Sequence, residues 1–190
     1  MKNILLFMFC LFMLIHSAQA QIRNHRTKYL ELSGGIPLIL SNNQFPQNWK
    51  AGERIYGLGL CFTNAKSNYH RIGINYKEER VENSPAYFTN LTVKYNYEST
   101  LLKGKYHHSF LGFMYGAGIG FESLKNSPND NLPKERTYPF VTIGLQFEKF
   151  LSPQFALFTR IDADATTSNI SQQFKGNAQL GFKIKLSNGL

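Results

Sequence analysis

The sequence is poor in cysteine. Only Cys10 and Cys61 occur in 190 residues, and Cys10 lies in the apolar stretch that opens the chain. With Cys61 alone beyond that stretch, no intrachain disulfide is possible, which excludes the stapled frameworks of many small exported domains. Long hydrophobic runs are also missing after residue 20. A transmembrane helix needs about 20 consecutive, mostly apolar residues, so a helical membrane protein is excluded. Trp49 is the single tryptophan. The formal net charge is +9, yet beyond residues 23–28 there is no dense Lys/Arg run. Basic residues are spread along the chain without a recognition motif, so no direct nucleic-acid partner is expected.

What is present begins with an export signal. Lys2 supplies a positive start, residues 4–15 an apolar core, and Ala18-Gln19-Ala20 a small-x-small cleavage site. The expectation is a cleaved signal over residues 1–20 and one domain over 21–190. Cys10 is removed with the signal and is no lipid-attachment site.

The remaining chain alternates between polar and apolar residues in eight segments, at about 28–36, 53–62, 68–80, 86–99, 107–122, 137–149, 154–165 and 173–186. Period-two alternation of this length argues strand over helix. In the fourth segment Tyr87, Thr89, Leu91, Val93, Tyr95 and Tyr97 oppose Asn90, Thr92, Lys94, Asn96 and Glu98. An even strand count puts both chain ends on one side, which in outer-membrane barrels is the periplasm. Connections at 37–52, 81–85, 123–136 and 166–172 then become outer loops, and those at 63–67, 100–106 and 150–153 inner turns. The expected fold is all-β: an eight-stranded antiparallel up-and-down transmembrane β-barrel of the outer-membrane type.

A soluble exported barrel would place the apolar faces inside, whereas a membrane barrel inverts them. The polar faces favour inversion. The fifth segment sets Gly112, Gly116, Gly118 and Gly120 on its polar side. Glycine weakens an exposed strand without compensation, but inside a narrow barrel it leaves room for long side chains. The apolar face carries Tyr56, Tyr76, Tyr87, Tyr95, Tyr97, Phe147, Phe155 and Phe174 towards strand ends, as in the aromatic belts of membrane proteins.

The interior is therefore expected to hold a structural charge network of Arg71, Lys94, Glu98, Glu122, Glu148, Arg160, Asp162, Asp164, Lys183 and Lys185, with Glu31 as further counter-charge. An eight-stranded barrel is just wide enough to be filled by its own side chains, so function falls to the outer loops or rim. Trp49, in the first outer loop beside Phe45 and Pro46, is the contact candidate there. The cluster His107-His108-Ser109 has catalytic flavour and raises a lipid A-modifying barrel enzyme as a lesser alternative. It lacks the orienting group that serine activation needs and falls at the inner end of a strand. His70, His107 and His108 have no Cys or carboxylate at metal-ligand spacing. No cofactor, metal or catalytic residue is expected.

Two resemblances add to these expectations. The closing segment, with Gln179, Gly181, Ile184 and Leu186 at alternating positions, resembles the assembly signal read by the barrel-assembly machinery. It ends on Leu186 and a short tail where an aromatic is usual. Over nearly all of residues 21–190 the order of LELSGG at 30–35, YGLGL at 56–60, FLGFMYGAGIGFE at 110–122, EKFLSPQFALFTR at 148–160, QFKG at 173–176 and LGFKIKL at 180–186 resembles the conjugative-transposon TraO proteins of Bacteroidetes. The resemblance implies a non-enzymatic component of a conjugative transfer apparatus in the outer membrane of a Gram-negative bacterium. Its implied partners are outer-membrane lipid and other conjugation proteins, with no catalytic motif to transfer. A general small barrel acting in adhesion or envelope stress through its outer loops is the alternative.

Overall fold

The computed structural model describes residues 27–39, 54–64, 68–80, 87–104, 108–126, 135–166 and 174–187. Eight strands follow one another: β1 (Lys28–Ile39), β2 (Arg54–Thr63), β3 (Tyr69–Arg80), β4 (Tyr87–Lys103), β5 (Ser109–Lys125), β6 (Glu135–Ser152), β7 (Phe155–Thr166) and β8 (Phe174–Ser187). Each pairs antiparallel with its neighbours in the chain, and β1 pairs antiparallel with β8, which closes the barrel. Closure matters because an apolar surround offers no water to an unpaired strand edge.

The two ends differ. One holds both limits of the described chain together with the short connections 64–68, 104–108 and 153–154, and is called the turn end. Backbone bonds knit it together: Thr63 N–H donates to the Thr27 carbonyl at 3.0 Å, Gly104 N–H to Ser109 at 2.8 Å, and Lys185 N–H to Gln154 at 2.8 Å. At the other, the loop end, strands are joined through residues 40–53, 81–86, 127–134 and 167–173. The expected contact residue Trp49 belongs to the first of these and lies outside the described residues.

Burial decides which face points where. In β2 and β4 exposed and buried residues alternate almost without a break. The exposed set is apolar and the buried set polar: Leu58 is 48 % exposed, whereas Lys94 is 1 % exposed. Ile72, Ile74, Val93, Ile119, Val141, Ile143 and Ile161 also face outward. A soluble barrel with an apolar cavity is therefore overturned, since that arrangement would give this apolar surface to water.

Strand ends differ from the sequence-based bounds by up to three or four residues. The largest departure is in β4, which runs on to Lys103 through a bulge between Thr100 and Leu102 where a turn was expected to begin at 100. An extra residue on one strand keeps pairing going while shifting the alternation, which ends the clean period-two pattern in sequence.

A charge placed mid-strand on the outward face should be costly. Ile143→Arg, at a site 57 % exposed near the centre of β6, is expected to destabilise the barrel in lipid by about 2–4 kcal/mol. Urea titration of the vesicle-refolded protein measures this, with the unheated fast-migrating gel band reporting the folded fraction. No loss of stability would contradict lipid contact at that face.

Candidate functional site

The chemistry of the chain is concentrated in the lumen, where strands deliver every second side chain to one axis. Six cations (Arg71, Lys77, Lys94, Arg160, Lys175, Lys183) and six anions (Glu31, Glu98, Glu122, Glu148, Asp162, Asp164) are buried there. They are arranged in tiers along the barrel.

The tier nearest the turn end is aromatic. Tyr29 meets Tyr69 edge-on with ring centres 5.8 Å apart and Phe150 at 6.0 Å, and Phe110 meets Phe150 at 5.9 Å. Cys61 and Ala156 complete this buried cluster. The plug is tied to the charges above it: the Tyr69 hydroxyl donates to Glu148 Oε1 at 3.0 Å. Lys183, paired with the other Glu148 oxygen, stands 3.9 Å over the Tyr69 ring.

The central tier turns on Glu31. Its Oε1 takes Arg71 Nη2 at 2.6 Å and Arg160 Nη2 at 2.8 Å, and its Oε2 accepts from Cys61 Sγ at 3.3 Å. Arg160 also donates from Nε to Gln146 Oε1 at 3.0 Å and from Nη1 to Gln179 Oε1 at 3.2 Å. Gln146 in turn donates to Glu98 at 2.8 Å. The guanidinium of Arg71 lies across Gly73, where an added Cβ would approach its Cζ to 3.2 Å.

Towards the loop end, Lys94 pairs with Asp162 at 3.0 Å and Asp164 at 3.7 Å, and Lys77 pairs with Asp164 at 3.3 Å. Asn177 donates to both aspartates. Above them Lys175 pairs with Glu122 at 2.7 Å and lies 5.5 Å over Tyr138, whose hydroxyl accepts from Asn90. The Tyr138 ring occupies the space over Gly120; a Cβ there would come within 2.4 Å of it.

Nine of the ten residues expected in the network lie in these tiers. Lys185 does not: it keeps the lumen-facing parity, in register with Tyr29, but it stands at the rim, half-exposed, and no ion pair is found for it among the described residues. Lys77, Lys175, Gln146, Asn177 and Asn90 belong to the tiers but were not singled out, although their parity with Arg71, Lys94 and Arg160 was visible. The interior aromatics Tyr29, Tyr69, Phe110, Tyr138, Phe140, Phe150 and Phe158 were missed as well. Parity with Glu31, Arg71, Gly112 or Arg160 was the available signal.

Of the expected assembly signal, Gln179 and Gly181 point into the lumen, and Ile184 and Leu186 face outward. Ser109 pairs with Lys149 at the turn end, while His107 lies outside the described residues. Among the described residues no group of three His, Cys, Asp or Glu side chains is placed to hold a metal ion.

No family model and no curated protein sequence matches the chain. Solved structures do. The chain is similar to Neisserial surface protein A, with a TM-score of 0.57 at 8 % identity over 84 % of this chain and 97 % of that one. It is also similar to Ail, the attachment invasion locus protein of Yersinia pestis, in complex with the heparin analogue sucrose octasulfate. There the TM-score is 0.53 at 13 % identity over 84 % of this chain and 97 % of the other. Inverted alternation, closure and these likenesses together define an eight-stranded transmembrane β-barrel of the outer-membrane type.

Two substitutions probe how the lumen is held. Glu31→Ala leaves Arg71 and Arg160 without their shared carboxylate and is expected to cost about 3–5 kcal/mol, the usual loss when one partner of a buried ion pair is removed. Denaturant midpoints of refolded protein measure it, and an unchanged midpoint would count against the network. Gly120→Val is expected to cost about 1–3 kcal/mol by overpacking against Tyr138. Combined with Tyr138→Ala it should cost clearly less than the two single losses together. Additive losses would show that the contact is not what limits residue size at 120.

Proposed function

We propose that this barrel is a non-enzymatic outer-membrane protein that acts through the segments presented at its loop end, binding partners at the cell surface. The filled, charge-matched lumen carries this reading. Six buried cations against six buried anions, sealed by an aromatic plug at the turn end, leave no conduit for a solute. Chemistry on a bound substrate would need a cleft, and these side chains are committed to one another. What remains for recognition is the set of connections at the loop end, the usual place for function in small barrels of this class. The names of the similar structures, a surface protein and an attachment invasion locus protein, accord with surface attachment.

A second reading has its own support. The ordered likeness to TraO proteins, from LELSGG at 30–35 to LGFKIKL at 180–186, favours an interaction component of a conjugative transfer apparatus. Both readings use the loop end, and they differ in the partner.

The test is a variant in which 40–53, 127–134 and 167–173 are replaced by short Gly/Ser linkers, compared with a complete deletion of the gene. If the variant still gives the fast-migrating folded band, loss of host-surface or matrix binding supports attachment, and a fall in mating frequency supports the transfer role. Wild-type behaviour of the variant in both assays would overturn a loop-end function. In planar bilayers the purified wild-type protein is expected to give no sustained conductance. A stable open channel would contradict the filled lumen.

A further inference from the structure

The charges of this chain are segregated along the barrel. Among the described residues the lumen holds six buried charges of each sign. Of the 12 carboxylates in the sequence, those outside the lumen are Glu53, Glu78, Glu79, Glu82, Asp130 and Glu135. All six belong to strand ends or connecting segments of the loop end, where Lys50, Arg54, Arg80, Lys125, Lys134 and Arg136 match them in number. Outside the lumen, the charged side chains of the turn end among the described residues are all cations. Lys28, Lys103 and Lys149 are exposed there and Lys185 is half-exposed, and no carboxylate outside the lumen lies at this end among the described residues. Read from sequence alone, the connecting segments add Lys66 and Lys105 and no acid.

The level of these lysines is marked independently. Lys28 pairs with Phe62, Phe62 with His70, and His70 with Tyr97, so Lys28 belongs to the same outward-facing ladder row as a polar aromatic cluster. In that cluster His70 Nδ1 shares a hydrogen bond with the Tyr95 hydroxyl at 2.7 Å, and the Tyr97 hydroxyl accepts from Asn68 at 2.7 Å. Amphipathic rings with hydrogen-bonded polar tips occupy the headgroup region of a bilayer. Two residues further into the apolar band stand Leu30 beyond Lys28 and Phe147 beyond Lys149. Each lysine stem can therefore lie along apolar surface while its ammonium reaches the headgroups.

We propose that the turn-end rim binds the phosphate groups of anionic phospholipids in the leaflet that surrounds it, through Lys28 and Lys149 on its lipid-facing side. Lys103 and Lys185, the ladder partners of Phe110 and Tyr29, add positive charge at the mouth beside them. The rim lysines of β1 and β6 point sideways into that leaflet, and the plug of Tyr29, Tyr69, Phe110 and Phe150 closes the lumen behind them. Lipid phosphate is therefore favoured over a ligand entering along the axis. Short turns face the periplasm in this class, which makes this the periplasmic leaflet.

The experiment is native mass spectrometry of the full-length protein released from mixed micelles doped with equal phosphatidylglycerol and phosphatidylethanolamine. The wild type is compared with K28Q/K103Q/K149Q/K185Q and with a loop-end control, R54Q/K125Q. Wild type and control should retain phosphatidylglycerol preferentially. The preference should fall with each rim lysine removed, by up to about fivefold, the factor one cation near an anionic surface contributes. Single and double rim variants supply the series if the quadruple one fails to give the folded gel band. Equal retention of the two lipids by wild type, or the same preference in rim variants as in wild type, would overturn the proposal. Capture of soluble polyglutamate without any lipid preference would also overturn it and assign the rim to an acidic macromolecule.

Discussion

A lumen too narrow for bulk water must neutralise, within itself, every charge it encloses. That constraint organises this barrel. The cost of stripping water from an ion is several kcal/mol even after the protein relaxes, so each interior cation has to meet an anion delivered from another strand. Glu31 shows how tightly this couples the structure. Its two arginines come from β3 and β7, on opposite routes around the barrel from β1. A slip of any of these strands by one residue would send the charge to the lipid face. The charges fix register more than they add stability, because a well-packed apolar core can replace a buried ion pair at little loss.

Aromatic rings do what the ion pairs cannot. Salt bridges satisfy charge but pack poorly at the ends of a lumen. At the turn end Tyr29, Tyr69, Phe110 and Phe150 fill the section edge to face, and Tyr69 and Lys183 join that packing to Glu148. Near the loop end Tyr138 fills the space left by Gly120 and carries Lys175 against its face. Glycine in these strands is thus matched to specific neighbours across the ladder. Sequence alone implies that it makes room for long cationic side chains. That holds for Arg71 over Gly73, whereas at Gly120 the occupant is a ring.

The fold was legible because lipid outside and charge inside impose one rule on every strand, and a strict period of two survives in the text of the sequence. Network members such as Arg160, Asp162 and Lys94 could be picked out because a charge cannot face hydrocarbon. The interior aromatics could not be picked out by type, since Phe and Tyr suit lipid, interface and lumen alike. Parity alone distinguishes them, and at strand ends parity depends on the bulges. Lys185 illustrates a different difficulty: it keeps the parity of Lys183 and pairs with the lumen-facing Tyr29, yet it stands at the rim, where parity no longer means burial. The partner at the loop end was illegible for another reason, because recognition there depends on segments that follow no repeating geometry.

Charge balance within the lumen has a consequence for the whole molecule. A neutral core and a matched loop end leave the formal excess of +9 to Lys2, Arg23 and Arg26 of the opening segment and to the lysines of the turn end. A field of one sign at one end gives the barrel a direction along its axis that the symmetric apolar band does not. Lysine in that place costs little to folding, since its head remains in water, and it gains from any anionic surface it meets. The excess need not reflect recognition of nucleic acid, as composition alone could suggest. It is what remains when a closed lumen cancels its own charges and the loop end cancels its own, leaving the turn-end lysines to the phosphates around them.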